Sequence, residues 1–217
     1  MTSRAIAAAF SSAVLALFVA QNARAVPPDT GATFTNPQAQ ASLEAGVAAL
    51  KDAAGLEAQN SGAAGQAKEP TPALMDAYTR ARAAFQDATQ SDPAMAEAWN
   101  GLGYSQRKLG DYDTALASYG RALTLKPGYP EATEYRGEAY LALNRVADAK
   151  RAYLDLFATN RALADTLMSA MKKWLADPKS GASKATAADL SKWLEERAKI
   201  AAQTASLTRE GAAAGWR

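Results

Sequence analysis

Shifted against itself by 34 residues, the sequence brings Ala81, Ala115 and Ala149 into register, together with Phe85, Tyr119 and Tyr153. The same offset pairs Pro93 with Pro127, Gly103 with Gly137, Ala88 with Ala122 and Leu109 with Leu143. A fixed period of this length marks a stacked array in which each unit buries its apolar face on its neighbour. The unit is helical. The apolar fraction is 48%, much of it alanine, and only 8% of residues are aromatic, so there is little from which strands could be built.

The repeated residue types fit a helix, a turn and a second helix crossing the first at short range. Gly103 and Gly137 fall on first helices, Ala115 and Ala149 on second helices, and small side chains at both places let the backbones approach. The aromatic residue four positions after each alanine fills the adjoining space. Proline then ends the second helix, because it lacks an amide hydrogen and clashes with the preceding turn.

Trp99, Leu102 and Gly103, followed by Ala115, Tyr119, Ala122 and Pro127, resemble the tetratricopeptide-repeat pattern W-x2-L-G…A-x3-F…P. The best copy spans residues 96–129, with Gln106 at the tyrosine position and Tyr119 at the phenylalanine position. The next, 130–163, keeps Gly137, Tyr140, Ala149 and Tyr153 but carries Thr133, Arg136 and Arg161 where tryptophan, leucine and proline belong. Upstream, Ala81, Phe85, Ala88 and Pro93 preserve only the second-helix half. Its partner is expected between Pro37 and Ala54, capped by Asn36, ended by Gly55 and carrying Leu43, Val47 and Leu50 on one face. A partial repeat over 36–95 with a Gly-, Ala-, Ser- and Gln-rich insertion at 59–70 completes a domain spanning 36–160. Thr71 and Pro72 open the helix after the insertion.

Beyond residue 160, Leu163, Leu167, Met171, Trp174 and Leu175 form one apolar stripe. After Asp177 and Pro178 a final helix is expected, with Thr186 and Asp189 resembling a capping box and Leu190, Trp193, Leu194 and Ile200 buried. This pair, 161–205, is either a degenerate last repeat or a capping hairpin; the cap is preferred because a stack needs a polar end. A Gly- and Ala-rich tail, 206–217, carries Trp216 as a late anchor or in disorder. The expected fold is therefore all-α, a helical-hairpin repeat solenoid with a C-terminal helix pair.

The first 25 residues read as an export signal. Arg4 precedes an apolar run from Ala5 to Ala20, and Ala23-Arg24-Ala25 supplies small residues for cleavage after Ala25. The run falls short of the roughly 20 apolar residues of a spanning helix, which argues against a retained anchor. Residues 26–35 are then a flexible lead-in, and the expectation is a periplasmic or secreted member of the exported bacterial type with no stable membrane insertion. Removing Arg4 and Arg24 takes the net charge from +2 to zero. Residues 26–160 hold 12 basic and 16 acidic side chains, and 161–217 hold 10 and 6, far too little basic density for nucleic acid. Lys172, Lys173, Lys179, Lys184 and Lys192 give the last helix pair a basic side that solubilises it or rests on an anionic envelope component.

With no histidine and no cysteine, imidazole bases, thiol nucleophiles and the ordinary zinc sites are excluded. There is no phosphate-binding loop and no nucleophile elbow, and Gly101-Leu102-Gly103 lies within a helix with no strand before it. A carboxylate pair could still hydrolyse a glycan, but the acids read as solvated and nothing gathers two of them in a cleft. No catalytic, metal or cofactor site is expected. Trp99, Tyr112, Tyr119, Tyr140 and Tyr153, which suggest sugar stacking, belong by their period to the core.

The resemblance implies a concave groove, lined by first helices, that receives segments of other proteins. Glu97, Asn100 and Tyr104 share their spacing with Glu131, Glu134 and Glu138, and positions i, i+3 and i+7 line one face. Arg107 and Lys108 lie a turn further on. Stacked glutamates repel by about 0.2 to 0.5 kcal/mol per neighbouring pair, which a basic segment would reverse. The family's clamp for C-terminal carboxylates uses Lys and Asn here, and Asn100 alone fits it. The expected function is a protein-binding adaptor or scaffold in an envelope complex; the alternative is a structural subunit docking through its convex or end surfaces. So few repeats stand near the lower limit for an independent stack, which leaves self-association open.

Overall fold

A computed structural model describes residues 36–60 and 69–214, with side chains through residue 204. The expected signal, the 26–35 lead-in, most of the insertion and Trp216 lie outside the described residues. Eight helices occur among the described residues, which contain no strand. They are α1 (Pro37–Asn60), α2 (Pro72–Ser91), α3 (Ala96–Lys108), α4 (Tyr112–Leu125), α5 (Pro130–Ala142), α6 (Val146–Thr159), α7 (Arg161–Ala176) and α8 (Lys184–Ala214). Each packs on the next, and the first helices α1, α3, α5 and α7 also touch in succession. This is the expected hairpin stack, with α7 seated beside α5 where a further first helix would lie. Among the described residues no helix is long and apolar enough to cross a membrane.

The glycines of the repeat mark the closest approaches. The Phe85 ring wedges between α1 and α3, so a Cβ on Gly46 would fall 2.7 Å from it and one on Gly101 2.5 Å. A Cβ on Gly103 would stand 2.8 Å from Tyr119. Gly137, at the same repeat position, faces Leu167 of α7 at 2.6 Å instead of its own repeat's aromatic residue. The turn inside each hairpin also repeats with the period: Gly110 adopts φ 87° and Asn144, 34 residues on, φ 59°. Asparagine is the side chain that best tolerates this left-handed conformation in place of glycine.

Several helix ends follow their side-chain caps. The Asn36 Oδ1 accepts from the Gln38 amide at 3.0 Å and the Thr71 Oγ1 from Leu74 at 3.2 Å. Asn160 ends α6 and caps α7, its Oδ1 accepting from Leu163 at 3.2 Å, and so replaces the missing proline. Trp99 donates from Nε1 to the Pro93 carbonyl at 2.9 Å, tying a first helix to the turn before it. Tyr119 and Tyr153 are completely buried, as the period requires, while Trp99, Tyr112 and Tyr140 are half-buried.

Three boundaries differ from expectation. Helix α1 runs through Gly55 to Asn60, because Leu56 still packs on the core and Glu57 is held by neighbouring helices. A Cβ on Gly55 would meet nothing, so this glycine faces outward and does not stop the helix. Helix α8 begins at Lys184, two residues before Thr186, capped by Ser183, whose Oγ accepts from the Thr186 amide at 3.0 Å; Asp189 instead pairs with Lys150 of α6. Its backbone stays helical to Ala214, past the expected end at 205, in keeping with the high helix propensity of the alanine-rich stretch.

Candidate functional site

The residues expected to line a groove lie on α3 and α5, which touch side by side. Helix α5 has neighbours on several sides, and nine of its residues are buried: Glu131, Ala132, Thr133, Glu134, Tyr135, Gly137, Glu138, Ala139 and Leu141. Glu131, Glu134 and Glu138 are 3, 1 and 5% exposed. The expectation that the acids of this chain are solvated fails at these three. Spacing alone assigned them to one face, but bulky side chains on α3 close over that face: Tyr104 meets Tyr135 edge-on with centroids 4.9 Å apart, and Arg107 stacks on both rings at 5.1 and 5.5 Å.

Arg107 and Glu138 form an ion pair at 2.6 Å, both with side chains about nineteen-twentieths buried. Burial works against the Arg107 charge, but Glu138 together with Tyr119, Tyr104 and Glu134 more than offsets it and keeps the guanidinium protonated. Glu134 has no such counterion, and neither carboxylate oxygen has a hydrogen-bond partner. Burial, reinforced by the neighbouring Glu138 charge, holds its pKa well above the usual carboxyl range. Two carboxylates cannot bond to each other, whereas a protonated Glu134 can donate to Glu138.

Lys108 does not line an open groove. It bonds to Glu57 on α1, which also accepts from the Tyr78 hydroxyl at 2.7 Å. Burial lowers the Lys108 pKa, and Glu57 restores part of it. At the other end of α3, Glu97 takes an ion pair from Lys126 at 3.0 Å and stays one-third exposed. Asn100 is fully buried; its Nδ2 donates to the Tyr129 hydroxyl at 3.3 Å and its Oδ1 has no partner. Burial raises the Tyr129 pKa, with Glu97 and Glu131 adding to it, so that hydroxyl stays protonated.

The structure thus brings Tyr104, Arg107, Glu134 and Glu138 into one cluster, places Glu97, Asn100 and Glu131 around Tyr129, and sends Lys108 to α1. Reading the sequence missed Glu57, Tyr78, Tyr129 and Tyr135, which complete these networks. The repeat gave no cue to the first two, since Glu57 lies past the glycine taken as a helix end. Among the described residues no three carboxylates are arranged to hold a metal ion.

A run of helical hairpins whose first helices lie side by side along one face defines a helical-repeat protein. A family profile described as Tetratricopeptide repeat matches residues 76–130 and again 103–165, and over these residues the chain is an array of tetratricopeptide repeats. Such repeats are scaffolds for protein–protein interaction. No curated protein matches the chain.

Proposed function

We propose that this chain is a non-catalytic adaptor that binds a segment of another protein along α3 and α5, in the periplasm or outside the cell after cleavage near Ala25. The observation that carries the reading is the repeat itself. Glu97, Asn100 and Tyr104 recur in position as Glu131, Glu134 and Glu138 on an adjacent first helix, and Glu97, one-third exposed, is the acid of this set that a basic partner segment could reach. The location rests on the Arg4-to-Ala25 pattern. Capture from an envelope extract tests the reading, with the full chain as bait beside a Glu97→Lys variant that melts at the same temperature. A partner retained by the first and released by the second supports a groove adaptor.

A second reading has its own observation. Leu154 on α6 is the exposed large hydrophobic residue among the described ones, at 43%. It lies on a second helix, and a structural subunit would dock through such a surface. A partner lost on Leu154→Glu and kept on Glu97→Lys would place the contact there.

A further inference from the structure

Every ion pair among the described residues takes its cation from the stretch between Arg80 and Arg151. Residues 166–188 then hold four lysines, Lys172, Lys173, Lys179 and Lys184, against the single acid Asp177. All four lysines are exposed. Asp177 braces the loop, its Oδ1 accepting from the Lys179 backbone amide at 2.8 Å. Lys172 and Lys173 stand near the end of α7, Lys179 in the loop and Lys184 at the start of α8, all around one hairpin end. The Asn144 bond to the Gly181 carbonyl at 3.0 Å holds that end to the α5–α6 turn, where Arg145 and Arg151 share the one carboxylate of Asp148. Lys184 is the most informative member. The N-terminal end of a helix carries partial positive charge and favours an acid, yet α8 has no acid in its first turn and opens on this lysine. The fold gains nothing from that charge.

We infer that Lys172, Lys173, Lys179 and Lys184 form a docking surface for an anionic lipid bilayer. An anionic bilayer attracts each lysine held near it, strengthening association by about fivefold per residue. The choice of lysine at all four places fits a fluid layer of headgroups, because an ammonium on a flexible stem adapts to any arrangement, whereas an arginine fork matches one fixed partner. No described helix is long and apolar enough to cross a membrane, so the contact is peripheral and electrostatic. Lys192 takes no part: it lies two turns further along α8, with the exposed Glu195 and Glu196 one turn beyond it. The surface is independent of the groove-binding reading, which places its contact on α3 and α5.

The test is flotation of the full chain with phosphatidylcholine vesicles and with vesicles in which about 30% of the lipid is phosphatidylglycerol. The readout is the ratio of the two partition coefficients, since dividing by the phosphatidylcholine value removes any apolar contribution of the Ala5-to-Ala20 run. The expected ratio is well above one and collapses in about 0.5 M sodium chloride, where the screening length falls to about 4 Å. Lys172→Gln with Lys173→Gln should lower it at least tenfold without changing the melting temperature. Lys184→Glu should lower it too, and should raise the melting temperature by placing an acid where the helix favours one. A ratio near one, a ratio indifferent to salt, or one that survives the double substitution overturns the surface. So does Lys184→Glu if it lowers the melting temperature and spares binding, which would assign that lysine to the fold. Soluble polyglutamate held through these lysines while both vesicle types are ignored would give the surface to an acidic protein and overturn the bilayer. Because Glu97→Lys leaves all four lysines in place, loss of a captured protein on that substitution and loss of vesicle binding are separate failures.

Discussion

Arg107 reaches across from α3 to place its Nη1 2.6 Å from the Glu138 carboxylate on α5, and the same distance along the chain, 31 residues, separates Tyr104 from Tyr135 beside them. Thirty-one is the repeat length less three, so side chains on successive first helices mesh one turn out of step. Removing one member of a buried pair strands the other's charge, so Arg107→Met is expected to cost about 3 to 5 kcal/mol. Arg107→Met with Glu138→Leu should cost markedly less than Arg107→Met alone. Urea denaturation of the two single variants and the double one gives the comparison; additive losses would show that the two side chains do not depend on each other.

Glu134 makes a pH prediction with a definite sign. Its folded pKa lies above the unfolded value near 4.5, so the native chain holds the extra proton between the two. The contribution of Glu134 to stability is therefore complete below about 4.5 and is lost as pH rises through the folded value. Glu134→Gln keeps the shape and removes the titration. The stability of the native chain relative to this variant should fall as pH climbs from 4 toward neutrality. A difference that stays flat or rises would show that Glu134 is not buried as a neutral acid.

Two glycines on first helices should respond to alanine with opposite signs. Alanine is the better helix former by about 1 kcal/mol, and at Gly55, where a Cβ meets open space, Gly55→Ala should stabilise by roughly that amount. At Gly101 the same Cβ would lie 2.5 Å from the fully buried Phe85 ring, and overpacking of about 1 to 3 kcal/mol should outweigh the propensity gain. Thermal melts of both variants decide it.

At the turn between α5 and α6, Asn144 combines its positive φ with a bond from Nδ2 to the Gly181 carbonyl at 3.0 Å, joining that turn to the loop before α8. Asn144→Gly keeps the backbone and loses the bond, whereas Asn144→Ala loses both. The glycine variant should cost about 0.5 to 1.5 kcal/mol and the alanine variant about 1 kcal/mol more. Equal losses would mean that the backbone conformation carries no cost of its own.

The helices from α3 to α6 were legible because period, proline and aromatic positions all point to the same boundaries. What escaped was set by neighbours that a local pattern cannot see. Gly55 resembles a helix end until Leu56 and Glu57 are found engaged on the next helices. Thr186 resembles a cap until Ser183 takes that role. Spacing set Glu131, Glu134 and Glu138 on one face of α5, yet their burial and the contacts of Glu134 and Glu138 with Arg107, about thirty residues away in sequence, could not be read from it. The offset of 31 that joins these helices is visible in the sequence only once the pairs are known.

Helix α5 also bears on how separable the repeats are. Ala139 belongs to the core on its N-terminal side and Leu141 to the core on its C-terminal side, two residues apart on one helix. A linear array whose interior boundary runs through a helix, and not through a loop, cannot be divided into two autonomous modules. A cut on either side of α5 leaves one fragment without a wall of its core. Shortening or lengthening of such a chain over evolution would accordingly be tolerated at its ends and resisted at its middle.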